Sequence, residues 1–319
     1  MGTRRQRIGN HSHRWSNFNP NLCREGIAFV ATQASNVSFE YVLGYTAAEH
    51  ARLIRQAALI APYTERLFRH AGIGSGQRVL DLGSGVGDVS MLLARIVGPS
   101  GEVVGMERDA TSIARAEARA AAAGLHNVNF IQSDVSEISS DKLFDAAVGR
   151  FILLFLPDPT SVLRGVARRV RAGGILAFQE PSWIPLLGLG ARLPLWSRVL
   201  QSIHETSLRC GVNPEMGPDL YRVFQEAGLP APVMHMEIPL GSEAAFTRIF
   251  CEILLSLRPQ AQKNGVSLET LGDLATLRER VHAEVAASNS VVSFLPLVGA
   301  WSRKVANGIR RKWNGAQRH

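Results

Sequence analysis

Residues 79–88 read Val79-Leu80-Asp81-Leu82-Gly83-Ser84-Gly85-Val86-Gly87-Asp88. An apolar pair leads into an acid, three glycines follow at alternate positions, and an apolar, helix-compatible run fills Val89 to Val97. That order is strand, glycine turn, helix. Glycine has no Cβ and tolerates positive φ, so a ligand can approach such a turn closely. The turn also presents the free N–H groups of the helix N-terminus.

The dinucleotide fingerprint G-x-G-x-x-G is matched at Gly83 and Gly85, but its third position is Asp88. An acid at the helix start opposes a pyrophosphate lodged there, and Asp81 adds a second negative charge just before the turn. Both acids suit a cofactor that carries positive charge and no phosphate.

Working outward, strands and helices alternate. The pattern predicts strands at 79–82, 102–106, 128–132, 144–149 and 175–179, with helices at 88–97, 110–123 and 157–171. The breakers are Gly98-Pro99-Ser100-Gly101, Gly124 and Gly173-Gly174. Strands separated by helices of this length argue for a parallel, doubly wound α/β sheet. Upstream, apolar residues at helical spacing predict one helix from Thr46 to about Ala61 and a second over Tyr63 to Ala71, stopped by Gly72. Downstream the rhythm changes. Residues 181–214 are apolar with prolines and a helix over Leu195–Cys210. Further helices are expected near 219–227, 243–257 and 267–287, with strands at 233–239 and 291–301.

The 79–87 segment matches throughout the first motif of the class I S-adenosylmethionine (SAM) methyltransferases, apolar-apolar-Asp/Glu-x-Gly-x-Gly-x-Gly. The chain resembles that family over roughly residues 40–240. The resemblance implies a Rossmann-like methyltransferase fold: a doubly wound, mostly parallel seven-stranded sheet, with an N-terminal helical lid and an inserted cap. It divides the chain into a basic arm (1–35), a helical lid (36–75), a SAM-binding core (76–181), a cap with the last strands of the core (182–305) and a basic tail (306–319).

The same resemblance distributes the cofactor contacts. Asp81, Gly83, Ser84, Gly85 and Gly87 form the turn. Glu107 ends the second strand twenty residues beyond Gly87, where a carboxylate accepts both ribose hydroxyls; Arg108 follows it. A nicotinamide dinucleotide would use Glu107 equally well. Asp134 and Val135 meet the adenine, Asp134 by accepting from the exocyclic amine. Arg150, in Gly149-Arg150-Phe151, faces the methionine portion. Tyr41 and Gln56 resemble lid residues of the ubiquinone-biosynthesis-like small-molecule branch, where polar side chains of the lid meet the methionine carboxylate. Each taken singly has a plain structural alternative: a surface acid for Glu107, a loop cap for Asp134, a salt bridge for Arg150, packing for Tyr41 and solvent for Gln56. Three acids at three successive strand ends are more specific than any one of them.

Glu180, at the end of the fifth strand, and His204 are the candidate catalytic groups, with His235 a further possible base. A cap or salt bridge is the alternative for Glu180. No nucleophile–base pair stands out, and in-line methyl transfer requires none, because positioning supplies much of the rate. The edge after the fourth strand lacks the Asn/Asp-Pro-Pro-Tyr/Phe of amino-methylating DNA enzymes, and Arg150 stands where metal-dependent catechol-type enzymes need an acid. The three acids together with the apolar 181–200 segment make a small, lipophilic molecule the expected acceptor, with no metal required.

Composition sets the outer bounds. The chain has 319 residues, a net charge of +8, a pI of about 10.0 and a mean hydropathy of +0.03. This length suits about two domains or one elaborated α/β domain. The basic excess raises RNA as a rival substrate, but much of it sits in Arg4, Arg5, Arg7 and Arg14 and in Arg303, Lys304, Arg310, Arg311 and Lys312. Solvated tails are the simpler account, and nucleic acid is disfavoured. A non-enzymatic SAM-binding protein is the other rival. Cys23, Cys210 and Cys251 are odd in number and widely spaced, with no zinc-ligand spacing, which fits reduced thiols and a cytoplasmic location. Neither a signal-peptide core nor a run of about 20 apolar residues is expected. A homodimer is left open.

Overall fold

The computed structural model describes residues 41–305, apart from Ser139 and the side chain of Ala191. The expected arm, its Ile27–Val30 segment, Cys23 and the tail from 306 onward lie outside the described residues.

Helix α1 (Ala47–Ala71) runs unbroken where two helices were expected. Pro62 sits inside it. A proline there removes one i→i−4 hydrogen bond. Both Pro62 and Ala58, whose carbonyl loses its partner, lie on the exposed side of the helix, so water can replace that bond. The opposite face buries Gln56, Ala57, Ile60, Thr64, Leu67 and Phe68, which holds the two halves in line. Thr46 caps the start by accepting the Glu49 N–H, and Gly72 closes the end at φ 92°.

The core then alternates as the sequence predicts. β1 (Arg78–Leu82), α2 (Asp88–Val97), β2 (Glu102–Glu107), α3 (Ala110–Ala122), β3 (Val128–Gln132), β4 (Phe144–Arg150), α4 (Pro159–Arg169) and β5 (Val170–Pro181) follow in order. α4 ends two residues before the expected stop. Val170 already pairs with Phe144, and the next pair is Ala146 with Ile175, so residues 171–174 form a bulge around Gly173 at φ 74°.

Beyond β5 lie α5 (Trp183–Leu189), α6 (Pro194–Arg209), α7 (Met216–Glu226), β6 (Val233–Glu237), β7 (Leu240–Gly241), α8 (Ala244–Lys263), α9 (Leu277–Ala287), β8 (Val292–Ser293) and β9 (Leu297–Arg303). Two expectations change here. The helix expected over 267–287 is two 3-10 turns followed by α9, with Gly272 at φ 67° and Asp273 capping the second turn. The strand expected over 291–301 divides at Pro296. β8 pairs with β7 in a small ribbon, and β9 enters the main sheet.

The main sheet has seven strands in the order β3-β2-β1-β4-β5-β9-β6. β9 runs antiparallel to both β5 and β6, and the other pairs are parallel. This is the doubly wound, mostly parallel sheet that the sequence predicts. Strand alternation divides its side chains into two layers. Val79, Ala146, Val148, Ile175 and Ala177 pack under α1 and α2, and Leu80, Leu82, Ala147, Leu176 and Phe178 pack under α4 and α7. A third cluster joins α5, α6, α8 and α9 around Trp183, Trp196, Phe250 and Phe294, and includes Ile60 of α1. Phe151, immediately after β4, packs against this cap cluster and against the sheet. Among the described residues no helix is long and apolar enough to cross a membrane.

Candidate functional site: the C-terminal edge of the parallel strands

The three glycines of the turn all have positive φ, at 63°, 52° and 86° for Gly83, Gly85 and Gly87. Their surroundings differ. A Cβ on Gly83 would meet the Ile152 side chain at 2.7 Å, and one on Gly87 would meet Ala116 at 2.9 Å. Those two positions are closed by packing. A Cβ on Gly85 would meet nothing within 4 Å, so its open side is left for a ligand. Beside it Ser84 Oγ is buried without a hydrogen-bond partner.

Glu107 is tied to this turn. Its Oε2 accepts the Gly85 N–H at 3.0 Å, and its Oε1 accepts the N–H groups of Arg108 (2.8 Å) and Asp109 (3.0 Å). The carboxylate is thus fixed in place, with one lone pair of Oε2 left over. Arg108 Nε donates to Tyr45 Oη at 2.9 Å, which joins the end of β2 to the segment before α1. Ser133 N–H donates to the Glu107 carbonyl, so β3 delivers Asp134 next to Glu107. Asp134 is exposed, and its Oδ1 accepts from the Ser136 hydroxyl (2.6 Å) and N–H (2.8 Å). These bonds, led by the hydroxyl, hold it below the usual carboxylate range. Val135 is half-buried against the α4–α7 layer.

Asp81 is 1 % exposed and accepts from Ser90 Oγ at 2.6 Å. Burial raises its pKa to about 7, against the pull of Ser90 and Arg150. Asp88 behaves otherwise than the sequence suggests. It pairs with Arg119 at 2.6 Å, so its charge is neutralised and does not stand bare at the helix start. Asp88 therefore does not oppose a phosphate in the way the sequence suggests.

The lid residues form their own network. Glu49, fully buried, takes both arms of the Arg52 guanidinium and accepts from Ser256 Oγ and Tyr41 Oη. Gln56 is buried and its Oε1 accepts from Arg52. Tyr41 packs between the tilted ring of Tyr45 (5.4 Å) and the edge-on ring of Phe155 (5.1 Å), an aromatic row reaching from the β2 edge to the turn after β4. Arg150 reaches from β4 to α1, where its Nη1 donates to Thr64 Oγ1 at 3.1 Å.

The two candidate catalytic groups lie apart from this cluster. Glu180 is fully buried, and alternation along β5 turns it to the opposite sheet face from Gln179. Its oxygens accept the N–H groups of Ile152 (3.0 Å), Leu153 (2.9 Å) and Leu154 (3.4 Å), the position of a cap on the 3-10 turn Leu153–Phe155. Burial raises its pKa to about 8 against those three bonds. His204 is on α6 in the cap, 5.8 Å from the Trp183 ring, and burial lowers its pKa. His235 lies on edge strand β6, 3.7 Å from Glu237. Among the described residues no three His, Cys, Asp or Glu side chains come together as a metal site.

Sequence reasoning missed Tyr45, Glu49, Arg52, Thr64 and Gln179. The Thr46-x-x-Glu49 spacing is a capping-box signature that locates the start of α1, but it misdirects Glu49, whose carboxylate goes to Arg52. Thr64 and Gln179 are 115 residues apart and carry no local signal.

These residues fit SAM. The open side of Gly85, the unpartnered Ser84 hydroxyl, the fixed carboxylate of Glu107 and the cation of Arg150 line one strand edge, where open α/β sheets bind ligands. A methyltransferase-domain family model matches residues 73–228. A demethylmenaquinone methyltransferase of Geobacillus kaustophilus is 29% identical over 178 residues, covering 52% of this chain and 76% of that protein. An arsenite methyltransferase of Aquipseudomonas alcaligenes is 37% identical over 113 residues, 33% of either chain. The solved structure of a protein from Bacillus halodurans shares the fold, with a TM-score of 0.52 at 17% identity over 76% of this chain and 99% of that one. Strand order, glycine turn and family match agree, and residues 73–228 carry a methyltransferase domain similar to that of the class I SAM-dependent methyltransferases.

Proposed function

We propose that the protein transfers a methyl group from SAM to a small, lipophilic acceptor, without a metal. The observation that carries this reading is the seam between two unlike surfaces. The polar strand edge of Glu107, Asp81 and Arg150 meets the apolar cap at Phe151, the residue directly after Arg150. SAM supplies an electrophilic methyl group when bound. Glu107 holds the ribose, Asp134 with Val135 the adenine, and the Gly83–Gly87 turn lets the backbone come close. Tyr41 and Gln56 belong to the lid, Tyr41 through its aromatic row and Gln56 by orienting Arg52. Phe151, Trp183 and the surrounding apolar side chains exclude water from the acceptor side.

The relatives lend support, because one is named for a quinone precursor and another for arsenite, both small acceptors. We assign Glu180 to holding the turn after β4 rather than to proton transfer, since its oxygens are taken by three backbone N–H groups. His204, on α6 in the cap, is kept in this proposal as the group that accepts a proton from an acceptor hydroxyl. Cytoplasmic action in secondary-metabolite biosynthesis goes with this proposal and is consistent with the free thiols of Cys210 and Cys251.

The test is transfer of labelled methyl from SAM to a panel of quinols, phenols and other lipophilic nucleophiles, with transfer RNA alongside. Label in the organic extract supports the reading. Label only in RNA, or SAM binding with no transfer to any acceptor of the panel, would overturn it.

A further inference from the structure

Glu252, on α8, is buried at the centre of three arginines from three helices. Arg55 of α1 donates to its Oε2 from Nη2 (2.8 Å) and Nε (3.3 Å). Arg248, one turn earlier on α8, donates from Nε to Oε1 at 2.7 Å. Arg278 of α9 brings its Nη2 to 3.7 Å from the same oxygen. Burial pushes the Glu252 carboxyl up, but Arg248 and Arg55 outweigh it and hold the group below the usual carboxylate range. Glu252 is therefore an anion, and one negative charge faces three positive ones.

The surplus is not absorbed nearby. Among the described residues, Glu252 is the acid in every ion pair of these three arginines. Glu49, the acid of α1 that reaches Ser256 of α8, is spent on Arg52. Glu279 is exposed and lies about 100° further around α9 than Arg278. Arg280 turns away to the Leu271 and Asp273 carbonyls. Like charges gathered this closely repel unless an anion lies among them. The donors are also underused. Arg55 Nη1 and both Nη atoms of Arg248 have no protein partner among the described residues. Arg278 makes no hydrogen bond among them at all, and its Nε is buried without a partner. The three side chains are 38 %, 47 % and 42 % exposed, so a ligand can reach their outer N–H groups.

Those donors define the missing partner. Guanidinium forks match the oxygens of carboxylates and phosphates. A carboxylate offers one charge and one plane of oxygens. Three forks reaching in from three helices suit a group with several oxygens around one centre and a charge of about −2, which is a phosphomonoester. We propose that Arg55, Arg248 and Arg278, gathered by Glu252, form a phosphoryl-binding site where α1 meets α8 and α9. The inference does not rest on SAM being the cofactor. An anion bound there ties the lid helix to the cap. A phosphorylated small molecule and the phosphomonoester headgroup of a lipid present the same chemistry, and the probes below separate them.

Titration calorimetry with inorganic phosphate and pyrophosphate, at constant ionic strength, tests the soluble source. Flotation with vesicles of phosphatidic acid in phosphatidylcholine, against phosphatidylcholine alone, tests the headgroup. Wild type should bind one of the two sources. Because the chain is basic elsewhere, variants carry the assignment. Arg248→Gln and Arg278→Gln should each weaken the bound probe by about tenfold or more, the range of a lost hydrogen bond to a charged group. Each leaves two arginines on Glu252, and a far-UV circular dichroism spectrum like that of wild type reports folding; one folded variant suffices. Binding of neither source by wild type would overturn the site, as would unchanged affinity in a folded variant. Transfer RNA bound in place of both sources, and weakened by the same substitutions, would overturn the phosphomonoester in favour of a nucleic-acid backbone.

Discussion

The cofactor edge and the cap are built by opposite means. At the edge, polar side chains are fixed by backbone groups close by in sequence or on the next strand. Glu107 accepts from Arg108, Asp109 and Gly85, and Asp134 from Ser136. In the cap, aromatic bulk does the filling and distant acids close the helix ends. Glu215 accepts from Trp183 and Ile184 N–H at the start of α5, and Glu284 accepts from Leu195 and Trp196 N–H at the start of α6. The lesson is that the edge is specified by local motif and the cap by long-range assembly. Substitutions should therefore separate binding from stability.

The largest expected effect is in the cap. Trp196 is 1 % exposed and lies 5.1 Å from the Phe250 ring. Trp196→Ala should cost about 3–5 kcal/mol of stability, read by denaturant unfolding. A loss below about 1 kcal/mol would show that the cap is not a packed core.

Next comes a contrast within the glycine turn. Gly87→Ala meets Ala116 and a positive φ together, and should cost about 2–3 kcal/mol of stability. Gly85→Ala meets only the φ penalty, about 1–2 kcal/mol, but places its methyl group on the ligand side. Its melting temperature should fall less than that of Gly87→Ala, and its S-adenosylhomocysteine affinity more. The reverse ranking would break the distinction between packing and ligand glycines.

Glu215→Ala removes three hydrogen bonds around the start of α5 and should cost about 1–2 kcal/mol, the scale of a lost helix cap. Methylthioadenosine binding should persist. Loss of nucleoside affinity along with the cap would mean that the two regions are one unit.

The last contrast is a pH slope. Glu180 has a folded pKa raised to about 8 by burial. Between its unfolded value and pH 8 the folded chain holds a proton that the unfolded chain has released, so stability falls as pH rises through that window. Wild-type melting temperature should decline from about pH 5 to pH 8 more steeply than that of Glu180→Gln. Parallel slopes would refute the protonated cap.

The same contrast governs what could be read in advance. The strands and helices from 78 to 169 follow from period, breakers and the glycine turn, because each is a local signal. Gly83, Gly85 and Gly87 look alike as letters, and only neighbours 29 residues or more along the chain, Ile152 and Ala116 among them, tell packing from ligand space. Asp88 reads as a bare acid until Arg119 is brought to it by α3. Pro62 suggests a helix break, yet burial on the opposite face overrides it. Pro296 divides the last strand, and the segment before it is captured by β7 rather than by the main sheet. In the cap, Gly272 and Asp273 break a helical pattern that periodicity alone runs through.

The account turns on Glu107 and the glycine turn holding SAM. Titration calorimetry of the protein with SAM tests this most directly. The prediction is saturable binding at one site per chain, weakened by about tenfold or more in Glu107→Ala. A folded wild-type protein that binds no SAM, or a Glu107→Ala variant that binds it as wild type does, would contradict it.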